Sequence, residues 1–146
     1  MNATSIAFAR LQTEEGKRQL AYNDATGKRV TCQPGGNLTI GYGINLETGL
    51  DEDEQNWLLM HRLSKVADGL AQYAWYTQLD DARASVVLDV AYNAGLNALL
   101  HYVHMIAALS NSNWQAAHDE LLDSAAARQL PSRYQPLANI LLTGAA

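Results

Sequence analysis

Two carboxylic acids near the start of the 146-residue chain sit in settings that push them toward different chemistry. Glu15 closes what reads as a helix, and Gly16 follows it directly. The negative end of a helix dipole disfavours the ionised form of a carboxyl placed there. Asp24 lies in Tyr22-Asn23-Asp24-Ala25-Thr26-Gly27, a polar turn in which an Asp stays ionised. A carboxyl that keeps its proton and one that does not are suited to acid–base work on opposite sides of one bond. Thr39 opens the run "TIGYG", where its hydroxyl can position a water alongside Asp24. Glu14 is the rival acid. It lies about 100° around the helix from Glu15 and no glycine follows it, so it reads as a surface charge.

These groups have to be positioned by the elements around them. A first helix is expected over residues 2–15, with Ile6, Ala9 and Leu11 as a narrow apolar face and Gly16 as its stop. Residues 16–50 hold seven of the ten glycines and short β-type runs, which predicts a small antiparallel sheet with tight turns at Asp24–Gly27 and Pro34–Asn37. From residue 51 to 146 the pattern is helical. Asp51 with Glu54 forms a capping box, and Leu59, Leu63, Val66 and Leu70 recur behind it. "LDDARASVVLDVAYNAG" is apolar nearly all round, which predicts the central buried helix, ended by Gly95. Further helices are expected at about Ala98–Leu109, Asn113–Ala127 and Ser132–Thr143, the last capped by Ser132. The chain is thus expected to be one domain with two lobes and a cleft between them.

Composition excludes several classes of function. The net charge of −5 argues against nucleic acid as a partner and against attraction to an anionic membrane surface. The N-terminal residues lack the basic start and apolar core of a signal peptide, and no run approaches the roughly 18 apolar residues that span a bilayer. The single cysteine, Cys32, has no nucleophile's partner nearby. His101 and His104 lie one turn apart without a third ligand, so no metal site is expected, and with no phosphate-binding loop in the sequence no cofactor is implied.

"EEGKRQLAYNDATG … LTIGYG" resembles the signature of the phage-type lysozymes, the muramidases of glycoside hydrolase family 24. The resemblance continues through "YNAG" (Tyr92 to Gly95) and reaches "DSAAARQLPSRY" before the final helix. It implies an α+β lysozyme-like fold. It further implies hydrolysis of the β-1,4 bond between N-acetylmuramic acid and N-acetylglucosamine in peptidoglycan. Glu15 would be the general acid, with Asp24 and Thr39 holding the attacking water, and the anomeric carbon would invert. Arg133 would stand against Glu15, with Tyr22, Asn93 and Gln129 in supporting or substrate-binding places. The implied setting is a monomer made in a host cytoplasm that reaches the wall in the periplasm through a holin or aboard a virion. A lytic transglycosylase and a non-catalytic wall-binding or virion protein of the same fold are the alternatives.

The sequence also departs from the family's pattern. The segment from Gly27 to Thr39 is longer than the usual hairpin, Ile44 stands where many members have His, and Ala126 where many have Trp. Many members are basic, whereas this chain is acidic. None of these changes removes one of the three residues assigned to the chemistry.

Overall fold

The computed structural model describes residues 2–15, 18–23, 26–30 and 37–146. Gly16, Asp24, Cys32 and most of the expected Pro34–Asn37 turn therefore lie outside the described residues.

Helix α1 spans Ala3–Glu14, and the Asn2 side chain caps it by accepting from the Ser5 N–H at 2.9 Å. Its buried residues are Ala7 and Leu11, one turn apart, with Ala3 and Phe8 packed beside them. The expected face is corrected here: Ile6 is only half-buried and Ala9 is exposed. The i, i+4 row that includes Ala7 and Leu11 lies against α4 (Asp81–Ala94), and this turns Arg10 toward α4 as well.

The expected sheet is present as a short hairpin, β1 (Thr39–Ile40) and β2 (Ile44–Asn45), antiparallel with Thr39 opposite Asn45. An isolated antiparallel bridge joins Tyr22 to Arg29. At the described ends of the Asp24 turn, the Asn23 carbonyl accepts from Gly27 N–H at 2.7 Å and Thr26 N–H at 3.3 Å. The stretch that follows α1 is tied to the start of the helical region. The Leu50 N–H donates to the Gln19 carbonyl at 2.9 Å, and Gly49 lies against that same carbonyl with φ +81°.

The rest of the described structure is helical. Helix α2 (Glu52–Ala71) carries the capping box in both directions: Glu54 N–H donates to Asp51 Oδ1, and Asp51 N–H donates to Glu54 Oε2. The short α3 (Ala74–Thr77) was not expected and buries Tyr76. Helix α4 is capped by Asp80, ends at Gly95 with φ 92°, and buries every residue from Ala84 to Ala91. It packs on α1 and α2 and on the final helix, α9 (Pro131–Thr143), so it is the central helix of the fold.

Two expected helices are each split in two. The first becomes α5 (Leu96–Leu99) and α6 (Val103–Ser110) because α5 lies on α2 and α4, whereas α6 lies on α3 and α7 (Trp114–Leu122). One axis cannot serve both sets of neighbours. The second breaks at Asp123, after which Ser124 caps α8 (Ala125–Gln129) by accepting from the Ala127 N–H. Ser132 does not cap α9: Leu130 holds that place without a side-chain cap, and Pro131 occupies the first turn, where its missing N–H leaves no bond unmade.

The described structure is thus mostly helical with a small two-stranded antiparallel sheet. No helix among the described residues is long and apolar enough to cross a membrane.

Candidate active site

Glu15 is the C-terminal cap of α1. Its N–H donates to the Leu11 carbonyl at 2.9 Å, which continues the helix by one bond and leaves the side chain at its rim. The carboxyl is about half in water, with 43% of the side chain exposed. It forms part of the wall of a cleft of about 480 Å³. Leu11 and Gln12 of α1, Arg18 and Tyr22 beyond it, Asn56, Leu59 and Arg62 of α2, and Tyr92 of α4 also line that cleft.

Behind Glu15 the structure places a chain of charges. Arg133, in the first turn of α9, donates from Nη1 to Glu15 Oε1 at 2.8 Å and from Nη2 to Asp89 Oδ1 at 3.0 Å. Asp89 sits in the middle of α4 with none of its side chain exposed. Its other oxygen, Oδ2, accepts from Arg10 Nε at 2.8 Å. Arg10 also donates from Nη2 to the Ser85 carbonyl and hydroxyl oxygens, at 2.9 and 3.2 Å. Burial alone would make the Arg133 guanidinium easier to deprotonate, but its bonds to Glu15 and Asp89 outweigh that and hold it above the usual arginine range. Its Nε is buried without a hydrogen-bond partner among the described residues.

The residues flanking this chain are tied to it. Burial pushes the Tyr92 phenol up and the Glu15 charge adds to that, while Arg62 and Arg133 pull the other way. Tyr134, next to Arg133, is fully buried and donates its hydroxyl to Asn93 Oδ1 at 3.1 Å. Burial is the main reason that its phenol is pushed up to about 12. Across the cleft, Arg18 lies over the Tyr22 ring at 5.1 Å.

Of the residues singled out from sequence, the structure brings Glu15 and Arg133 into contact and sets Tyr22 on the same cleft. Asn93 is one step removed, under Tyr134. Thr39 stands apart: it does not line the cleft, and its hydroxyl donates to the Asn37 carbonyl of its own hairpin at 3.1 Å. Gln129 is exposed at the end of α8, with no polar partner among the described residues. Asp24 lies outside the described residues. No group of three metal-ligating side chains occurs among those described.

Sequence reasoning missed Asp89, Arg10 and Arg62. Asp89 carried a signal, since it is the lone acid in the apolar run "VVLDVA". A charge on the buried stripe of a helix has to be paired.

The family model described as phage lysozyme matches residues 12–132. The match includes Glu15, Asp24 and Thr39 and ends one residue before Arg133. No curated protein matches the chain.

Proposed function

The chain belongs to the phage lysozyme family, whose members degrade peptidoglycan, and from that premise we propose that it hydrolyses the β-1,4 bond between N-acetylmuramic acid and N-acetylglucosamine. Glu15 is the general acid that protonates the leaving oxygen. Asp24, with Thr39, delivers water to the opposite face of the sugar. The observation that carries this reading is the placement of Glu15, a helix-end carboxyl on a cleft wall that Arg133 grips from behind. That grip fixes the carboxyl's direction while the other oxygen has no hydrogen-bond donor among the described residues and is left to meet a substrate.

The biological role that fits is lysis of a bacterial host by a phage or prophage endolysin that a holin releases, or local wall penetration from a virion. The enzyme acts as a monomer on glycan strands and needs no metal or cofactor.

One observation favours a second reading. The Thr39 hydroxyl is engaged within its own hairpin and lies off the cleft. A lytic transglycosylase needs one acid and no delivered water, because the sugar's own 6-hydroxyl closes on the anomeric carbon. Digestion of purified peptidoglycan followed by mass spectrometry separates the two. Hydrolysis gives reducing muramic acid ends, whereas transglycosylation gives products lighter by one water.

Both mechanisms need Glu15. Glu15→Gln is expected to abolish lysis in a protein that stays folded, and Glu14→Gln to leave it nearly unchanged. A folded Glu15→Gln protein lysing within about threefold of wild type would remove the assignment, since general acid catalysis contributes roughly a hundredfold or more.

A further inference from the structure

The cluster behind Glu15 has a charge count that its position near the surface conceals. Arg10 and Arg133 are two cations, and Asp89 is a carboxylate ion-paired with both and with no exposed side-chain surface. With Glu15 ionised the four charges cancel. With Glu15 protonated, as a general acid has to be, a single positive charge remains. Were Asp89 neutral, that form would carry two uncompensated cations, one of them bonded to Glu15 itself.

We infer that Asp89 is a positioning residue for the reaction: it anchors Arg133 so that one arm of the guanidinium meets Glu15, and it supplies the counter-charge that lets Glu15 keep its proton beside an arginine. Three observations support this. Arg133 divides its two terminal nitrogens between the two carboxyls, at 2.8 and 3.0 Å, so its direction depends on both. Asp89 is held from its other side by Arg10, which is itself bonded to Ser85, so the anchor is fixed independently of Arg133. The Asp89 side chain is fully buried and the Glu15 side chain is 43% exposed. The site therefore has one paired carboxyl in the core and one at the cleft.

Among the described residues, the other charged and titratable groups lining the cleft with Glu15 are Tyr92 from α4, Arg62 and Glu52 from α2, and Arg18 and Tyr22 beyond α1. Asp89 differs from these in bonding the same guanidinium as Glu15.

This inference rests on Glu15 being the acid, so its test reads the carboxyl directly as well as through activity. The 13C titration of the Glu15 side-chain carboxyl, assigned by comparison with Glu15→Gln, is measured in wild type, Asp89→Asn, Arg10→Met and the double variant, together with the pH profile of wall lysis. Removing a charge one guanidinium away is expected to move the Glu15 midpoint, and the alkaline limb of activity, by about half to one pH unit. Asp89→Asn moves them toward acid and Arg10→Met toward alkali. The double variant, with the charge count restored, returns close to wild type. A residue that only filled space would show no such opposition or restoration.

A midpoint unmoved in folded Asp89→Asn overturns the inference. If that variant does not fold, a midpoint unmoved in Arg10→Met overturns it equally. Midpoints that move as stated in a protein whose Glu15→Gln form still lyses walls would uphold the coupling and remove the catalytic reading instead.

Discussion

Replacing Arg133 with Met tests whether the buried charges are held together as described. The substitution keeps much of the apolar stem and removes two hydrogen bonds. One goes to Glu15, which is 43% exposed, so water replaces it and the loss is under about 1 kcal/mol. The other goes to Asp89, which is fully buried. Asp89 Oδ1 is left without a donor, at about 1–3 kcal/mol. Stripping a buried charge of all partners costs about 3–5 kcal/mol, but Arg10 stays on Oδ2 at 2.8 Å, so that figure is not reached. Against these losses, the Arg133 Nε, which has no partner among the described residues, disappears, returning about 1 kcal/mol or more. The net loss is about 1–2 kcal/mol, or roughly 2–8 °C in melting temperature for a chain of this size. Urea and thermal unfolding of Arg133→Met, Arg10→Met and the double variant measure it. The double variant strips Asp89 of both cations, so its loss is expected to exceed the sum of the singles by more than about 1 kcal/mol. Additivity to within about 0.5 kcal/mol would refute the picture of one shared buried anion.

Three further outcomes are expected. Asp24→Asn should reduce wall lysis severely, and proton NMR of fresh wild-type products should show α anomers, because an inverting pair stands roughly 6.5–9.5 Å apart with water between; β anomers at first release would make Asp24 a nucleophile. Tyr134 keeps its proton in the folded state up to about 12 against an ordinary 10.0, so its contribution is fully present below pH 10 and is lost as pH rises through that interval; Tyr134→Phe should flatten the alkaline stability loss, and an unchanged slope would mean the phenol does not couple to folding. Gly49→Ala would place a Cβ 2.4 Å from the Gln19 carbonyl oxygen at φ +81°, and calorimetry should find a loss of roughly 2–3 kcal/mol.

What could be read from the sequence was local. The Asp51–Glu54 box is a four-residue device whose donors and acceptors are all close in the chain, and it appears as expected. The apolar run of α4 announced its burial for the same reason. The breaks at Leu100–Tyr102 and at Asp123 were not legible, because they are set by which helices α5 to α8 pack against. The face of α1 was misplaced by the same kind of distant partner, with Arg10 drawn to Asp89 across the α1–α4 contact. Arg133 was expected beside Glu15 from the family's pattern, yet the residue that joins them to the core, Asp89, belongs to no local motif. Only the three-dimensional packing brings residues 10, 15, 89 and 133 together.

The bond from Leu50 to Gln19 has a topological consequence. Gln19 and Leu50, far apart in the chain, meet at that point, so the residues between them in sequence form a loop whose two ends are joined. Lengthening such a loop is thermodynamically inexpensive, since each doubling of a flexible loop adds only about 0.6 kcal/mol. In chain order the stretch between Gly27 and Thr39, whose length departs from the family's, falls between those two joined residues. It can therefore be recut or exchanged as a cassette while α1, α4 and α9 keep hold of Glu15.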